Sequence, residues 1–308
     1  MSALPARIVI AAYSDVGYRC TRWLLDQGED VALVYTHPDD PKETRWFDSV
    51  RDLALSRGIQ TRTVETLDDP AEIGRIRALA PDFLFSFYFR KMIPPAVLSV
   101  PRRGALNMHG SLLPHFRGRA PINWAILKGA TKTGATLHYM TEKPDAGDLV
   151  DHEAVPIGPD DDVLVVAKRV GEAAEKVLAR AWPRLKAGTA QRFPQDLAHG
   201  SYYGGRKPED GVVDWGLSAK EVHDLVRAVT RPWPGATTDV FGPKVTIWKT
   251  RLPSYGGHDC FPGKAELTEE SVIVYCGDDR PVEILAAQPA GERDLDAFGF
   301  RAWLVSRG

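Results

Sequence analysis

The sequence predicts an α/β protein with two domains, in which a parallel sheet covered by helices precedes a smaller β-rich domain. Short, nearly continuous apolar stretches such as Val31–Thr36 and Phe83–Phe87 alternate with longer helix-like stretches in the first half. That alternation is typical of buried parallel strands joined by helices. In the second half, short strand-like stretches are separated by glycine and proline, which favours antiparallel strands. A length of 308 residues suits two domains.

The first domain is predicted to span residues 1–188. Its predicted strands are 7–12, 31–36, 61–64, 83–87, 104–108 and 134–140. Its predicted helices are 16–27, 46–57, 70–80 and 162–185. Gly28 and Gly58 end the first two helices, and Pro70 suits the first turn of the third. In such a sheet, ligands bind beyond the carboxyl ends of the strands.

A polar, glycine-rich segment, 189–205, is predicted to link this domain to a second one at 206–308. The second domain should open with a helix at 218–229, where Ser218 and Glu221 have the spacing of a capping box. Its predicted strands are 237–241, 244–249, 263–268, 272–276 and 282–286. Short strands with turn signals between them predict a small β-barrel or an open sheet.

Composition excludes several classes of protein. The net charge of −2 argues against a chain whose main function is binding nucleic acid. The three cysteines, none in CxxC spacing, predict neither a disulfide framework nor a metal site, and they favour a reducing, cytoplasmic location. No apolar run approaches the ~18 residues of a membrane span. The short apolar run near the start predicts a first strand and not a signal peptide.

The clearest candidate for chemistry follows the strand predicted at 104–108. Asn107 and His109 are two residues apart, so a strand places them on the same side of its pleat. An amide that holds a carbonyl oxygen and an imidazole that exchanges protons are suited to acyl transfer onto an amine. A carboxylate in the turn-rich segment 141–148 would orient His109. On the residues alone, ordinary turns remain the alternative for both segments.

At these residues the chain resembles a known family. The run NMHGSLLPHFRGRAPINWAI, residues 107–126, is similar to the central motif of the 10-formyltetrahydrofolate-dependent formyltransferases, which act on methionyl-tRNA, glycinamide ribonucleotide or aminosugars. The resemblance covers about residues 7–285. It implies a Rossmann-like catalytic domain, an OB-like β-barrel domain and 10-formyltetrahydrofolate as the formyl donor, without a metal. It also implies a catalytic triad of Asn107, His109 and Asp145.

Three stretches look most like the branch that formylates UDP-4-amino-4-deoxy-L-arabinose in lipid A modification. They are 85–93 (FSFYFRKMI), 117–124 (RGRAPINW) and 227–236, which contains PWPGA. The resemblance implies a folate pocket formed by Lys91, Met92, Ile93, Arg119, Thr141, Glu142, Lys143, Pro144 and Asp145. Candidate contacts to the aminosugar substrate are Tyr88, Ser111, Arg117, Asn123 and Trp124. Each has a structural alternative, such as a helix start at 91–93 or a core aromatic at Tyr88.

The sequence leaves three alternatives to aminosugar formylation. Methionyl-tRNA formyltransferase has the same chemistry, but segment 36–46 is short and mixed in charge where a tRNA would require clustered lysine and arginine. A nucleotide-binding module without transfer chemistry is disfavoured, because the first strand–helix turn holds one glycine where the dinucleotide fingerprint needs three. Nothing in the sequence favours a catalytically inactive scaffold. The sugar, its nucleotide base and a homodimer suggested by family analogy are left open.

Overall fold

The computed structural model describes residues 6–39, 41, 43–254 and 260–307. They form two compact units. The first contains the described residues up to Pro121, together with Lys132–Pro156 and Ala167–Gly204. The second contains Ile122–Thr131, Ile157–Val166 and the described residues from Gly205 onwards. The boundary at 188 and the linker at 189–205 stay predictions.

A seven-stranded mixed sheet organises the first unit. The strands up to residue 204 are β1 Ile8–Ala12, β2 Val31–Thr36, β3 Thr61–Thr63, β4 Phe83–Phe87, β5 Gly104–His109, β6 Arg117–Gly118, β7 Lys132–Tyr139, β8 Leu149–Pro156 and β9 Tyr202–Tyr203. The helices over the same range are α1 Ser14–Asp26, α2 Val50–Ser56, α3 Pro70–Leu79, α4 Pro95–Leu98, α5 Pro121–Leu127 and α6 Val163–Ala187. The sheet order is β3-β2-β1-β4-β5-β7-β8, and β6 pairs with β9 separately.

The parallel sheet predicted from the sequence is present in the five strands β3-β2-β1-β4-β5. Strand β7, predicted at 134–140, instead runs antiparallel to β5, and β8 runs antiparallel to β7. The sequence did not predict β8, because it carries buried and accessible residues in alternation and lies at the sheet edge, where no continuous apolar run is needed.

Helices cover both faces of this sheet, as predicted. On one face, the Trp182 ring of α6 packs edge-on against Phe83 and Phe85 of β4. On the other face, Leu84 belongs to an apolar cluster with Ile76 of α3 and Val97 of α4. Alternate residues of one buried strand therefore pack against different helical layers.

Helix α2 is shorter than the sequence predicted. It begins at Val50 and not at Trp46, because the Ser49 hydroxyl accepts a hydrogen bond from the Asp52 backbone N–H and caps the first turn. The predicted range of 46–57 therefore included four residues that precede the helix.

An antiparallel sheet organises the second unit. Its strands are β10 Ala236–Thr238, β11 Val245–Arg251, β12 Ala265–Leu267, β13 Val272–Tyr275, β14 Pro281–Pro289 and β15 Leu295–Asp296. Helix α7 Ala219–Val229 precedes these strands, and α8 Ala297–Val305 follows them. The order is β10-β11-β14-β13-β12, with β15 on β14. The predicted capping box is confirmed, since the Ser218 and Glu221 side chains each bond the other's backbone.

Buried ionic contacts fix α7 within the second unit. Arg227, only 7% exposed, donates from Nε to Asp224 Oδ1 over 2.8 Å. Its Nη1 donates to the carbonyl oxygens of Gly158 and Asp161 over 3.2 and 2.8 Å. These bonds satisfy the buried guanidinium and hold Ile157–Val166 in this unit.

We therefore predict that Arg227→Met destabilises the protein by about 3 to 5 kcal/mol, because it breaks a buried ion pair and leaves two carbonyl groups without a donor. The free energy of unfolding, measured by denaturant titration, tests this. The control is Arg307→Met, which removes a surface ion pair with Glu292 and should cost at most about 1 kcal/mol. Equal effects of the two substitutions would contradict the prediction.

Among the described residues, no helix has the length and apolar character needed to cross a membrane.

Candidate active site

Strand β5 brings Asn107 and His109 to one edge of the sheet, and a loop after β7 brings Asp145 to meet them. Asp145 Oδ1 lies 3.4 Å from Asn107 Nδ2 and 3.5 Å from His109 Nδ1. The antiparallel pairing of β5 with β7 creates this meeting, because the end of β7 comes back beside β5 before the loop begins.

The Asp145 carboxylate is the centre of this cluster. Its Oδ2 accepts the Gly118 backbone N–H over 2.8 Å. The Gln195 side-chain amide fixes the loop behind it by donating to the carbonyl oxygens of Asp145 and Gly147 over 3.0 and 2.6 Å. The side chain of Asp145 is only 14% exposed, so its position is set by these contacts and not by solvent.

Electrostatics keep Asp145 ionised. Burial alone would raise the pKa of its carboxyl, but the charge of His109, the contact with His138 and the Gly118 N–H together hold that pKa well below its usual range. Asp145 is therefore a fixed negative charge beside His109 at any physiological pH.

His109 is oriented from both sides of its ring. Its Nε2 lies 2.8 Å from the carbonyl oxygen of Phe116, which can only accept, so Nε2 carries a proton. Its Nδ1 faces Asp145. A second proton, on Nδ1, would lie between the ring and a carboxylate, and the site can therefore hold His109 as a cation during a proton transfer.

His138 is a site residue that sequence reasoning missed. It is 1% exposed, its Nδ1 donates to the Tyr139 carbonyl over 2.8 Å, and its Nε2 lies 3.2 Å from Asn107 Nδ2 and 3.5 Å from Asp145 Oδ1. Only the register of β5 with β7, in which Asn107 and His138 are paired, reveals this position. With Nδ1 protonated, Nε2 accepts from the Asn107 amide and fixes its orientation.

The segment after β5 supports His109. Ser111 is buried, and its hydroxyl donates to the His115 carbonyl over 2.6 Å, which shapes the turn that presents the Phe116 carbonyl to His109. In β6 and directly after it, the Arg117 and Arg119 N–H groups donate to the carbonyl oxygens of Ser201 and Tyr203. Ser111 is thus joined to the triad through the turn.

Tyr88 lies below this turn. Its backbone has φ of 60°, and its buried hydroxyl has no hydrogen-bond partner among the described residues. A Cβ added at Gly110 would collide with that hydroxyl, so glycine is required where the strand turns after His109.

Most of the residues predicted to form the folate pocket have exposed side chains. Lys91 and Met92 are exposed, whereas Ile93 is buried in the apolar cluster of the first unit. The Arg119 side chain is exposed. In the loop before Asp145, Thr141, Glu142 and Lys143 are exposed, and the Thr141 hydroxyl donates to the Lys143 carbonyl, while Pro144 is half-buried. No side chain of these residues bonds Asn107, His109 or the Asp145 carboxylate within the described chain.

Asn123 and Trp124 belong to the second unit. The Asn123 amide is buried and donates to the Ala228 carbonyl over 2.7 Å. The Trp124 ring lies 5.0 Å from the Arg206 guanidinium. Asn123 therefore already uses its amide to fix α5 against α7.

A separate cavity of about 370 Å³ lies at the carboxyl ends of β1 and β2, lined in part by Tyr13, His37 and Phe47. The Tyr13 hydroxyl donates to Glu43, which pairs with Arg90 over 2.6 Å. Sequence reasoning did not identify this cavity, because its lining residues come from distant segments. In the described part of the chain, no group of three or more His, Cys, Asp or Glu residues could hold a metal.

The comparisons with known proteins agree with this architecture. A family model described as formyl transferase matches residues 13–182, and one described as formyl transferase, C-terminal domain, matches residues 206–302. Because these matches cover most of the chain, this protein belongs to the formyl transferase family, and the predicted resemblance is confirmed.

Solved structures show the same fold at low sequence identity. WlaRD, a sugar 3N-formyltransferase crystallised with dTDP and 5-N-formyl-THF, is 18% identical with a TM-score of 0.70, over 94% of this chain and 99% of that one. An N-formyltransferase from Helicobacter canadensis, in complex with folinic acid and dTDP-3-aminofucose, is 19% identical with a TM-score of 0.68, over 92% and 99%. HypX from Aquifex aeolicus, in complex with tetrahydrofolic acid, is 21% identical with a TM-score of 0.64, over 98% of this chain but 48% of its own.

The lowered pKa of Asp145 makes a prediction about stability and pH. A carboxyl whose pKa is lower in the folded state contributes stability above its unfolded pKa of about 3.9, and this contribution is lost as the pH falls towards the folded pKa. The difference in free energy of unfolding between the wild type and Asp145→Asn should therefore be largest near pH 7 and shrink below about pH 4. Denaturant unfolding between pH 3 and pH 7 measures it, and a difference that grows in acid would contradict the assignment.

Proposed function

We propose that this protein transfers the formyl group of 10-formyltetrahydrofolate to the amino group of a nucleotide-linked aminosugar. The observation that carries the proposal is the convergence of Asn107, His109 and Asp145 at one sheet edge. Family membership supports formyl transfer. The two similar structures that were solved with a formylated folate and with dTDP or a dTDP-aminosugar support the two substrates.

The three side chains can divide the work of such a transfer. As the amine nitrogen bonds to the formyl carbon, the Asn107 N–H that is not bonded to His138 donates to the oxygen that gains negative charge. The amine loses a proton, and His109 accepts it on Nδ1. Asp145 stabilises the resulting imidazolium cation. The bond from the formyl carbon to N10 of the folate breaks, and His109 returns the proton to N10. The products are the N-formyl sugar and tetrahydrofolate.

The residues that we propose for folate binding are the ones that the family resemblance implies. Lys91, Met92 and Arg119 have exposed side chains that are free to contact a ligand. The Thr141–Asp145 loop ends at the catalytic carboxylate and so would bring the folate beside His109. Ser111 is assigned to the support of the turn, and Asn123 is left out of the proposed acceptor contacts because its amide is already bonded.

We predict that His109→Ala and Asn107→Ala each lower kcat by about 100- to 1000-fold, because a preorganised donor or proton carrier is lost at the reacting atoms. Steady-state formyl transfer measures this, with circular dichroism to establish folding. His152→Ala, an exposed histidine of β8, is the control and should retain full activity. A folded His109→Ala protein with wild-type turnover would refute the catalytic assignment.

A formyl-transfer assay with several amine acceptors identifies the sugar substrate. UDP-4-amino-4-deoxy-L-arabinose is the proposed substrate, supported by the stretches 85–93 and 117–124. The panel adds dTDP-linked aminosugars, chosen from the ligands of the similar structures, and methionyl-tRNA. Formylation of one nucleotide sugar is the expected outcome. Activity on the tRNA alone would replace this proposal with methionyl-tRNA formyltransferase.

A further inference from the structure

Arg117 is a buried cation whose side chain has no partner among the described residues. The residue is 8% exposed, close to the 7% of Arg227. Arg227 has a carboxylate and two carbonyl groups as partners. In the part of the chain that the structure describes, the Arg117 side chain makes no hydrogen bond and no ion pair, and its Nε is buried without an acceptor.

This arrangement is unfavourable in the ligand-free protein. A guanidinium stays protonated in proteins, so it cannot lower the cost of burial by losing its charge. Buried charges are normally paired and hydrogen-bonded. A protein that keeps such a group unpaired therefore offers an anion a binding site whose cation is already largely removed from water.

The position of Arg117 relates this charge to the catalytic centre. The carbonyl oxygen of the preceding residue, Phe116, accepts a hydrogen bond from His109 Nε2 over 2.8 Å. The N–H of the following residue, Gly118, donates to the Asp145 carboxylate, also over 2.8 Å. The Arg117 N–H is itself fixed on the Ser201 carbonyl over 2.9 Å. The backbone cannot move Arg117 towards solvent without disturbing both catalytic side chains.

We propose that Arg117 binds a permanent oxyanion of one of the two substrates and holds that substrate at a fixed position relative to His109. This inference rests on the proposed function, in which each substrate carries such a group. The nucleotide sugar has a diphosphate, and the folate has the carboxylates of its glutamate. Both are planar or forked acceptors that a guanidinium can bind through two parallel hydrogen bonds.

Binding experiments on the 308-residue chain distinguish the two sources without requiring turnover. Isothermal titration calorimetry compares wild type with Arg117→Met for UDP, dTDP, their nucleosides, folinic acid and the carboxamide of 5-formyltetrahydropteroate, which carries no carboxylate. Loss of charge-assisted hydrogen bonds should weaken the relevant ligand by about 10- to 100-fold. If the diphosphate is the ligand, only the nucleotides weaken, whereas if the carboxylate is the ligand, only folinic acid weakens.

Two further variants complete the binding test. Arg117→Lys keeps the charge and should recover part of the affinity, which a purely steric effect of Met would not explain. Arg57→Met removes an exposed arginine paired with Asp26 and should leave all affinities unchanged. Unchanged affinity of Arg117→Met for every probe would overturn the inference.

Thermal stability gives an independent readout. Because the Arg117 side chain is unpaired within the described part of the chain, Arg117→Met should leave the melting temperature of the ligand-free protein unchanged or raise it, whereas Arg227→Met should lower it. A fall for Arg117→Met as large as that for Arg227→Met would show a structural role and overturn the inference. If no acceptor is formylated but binding still depends on Arg117, the proposed function fails and the anion site stands.

Discussion

The buried carboxylate of Asp145 is the interaction on which the candidate site depends. Its Oδ1 faces nitrogens of Asn107, His109 and His138, and its Oδ2 is already bonded to Gly118. The one carboxylate therefore joins β5, β6 and the loop after β7. It fixes the Asn107 amide and the His109 ring at the same edge of the sheet.

The fold holds this arrangement through backbone contacts that only glycine permits. Gly118 has φ of 96°, and a Cβ there would collide with the Tyr203 carbonyl, so the N–H reaches Asp145 only because no side chain is present. Gly110 leaves room for the Tyr88 ring below the turn. The two glycines therefore bring β6 and the end of β5 close enough to share one carboxylate.

Part of this architecture was readable from the sequence. Strand alternation placed Asn107 and His109 on one side of β5, and apolar runs identified the parallel strands. Asp145 was reached only through the family resemblance, because its loop looks like any polar turn. His138 depended on an antiparallel pairing between β5 and β7 that periodicity does not encode. The same limit hid the attachment of Ile157–Val166 to the second unit, which rests on bonds from Arg227 to Gly158 and Asp161.

Buried side-chain atoms without a hydrogen-bond partner occur in several parts of the described chain, for example at Thr21, Trp182 and Trp248, and some of them lie near the candidate site. Three such atoms, Arg117 Nε, Tyr88 Oη and Gln195 Oε1, belong to residues that adjoin the turn after β5 or hold the Asp145 loop. Buried polar groups are nearly always bonded in native proteins, since each unsatisfied one is costly. Around α7, by contrast, equally buried charges are fully paired. The first unit thus has unused hydrogen-bonding groups near the candidate site, where a polar, charged ligand would supply the missing partners.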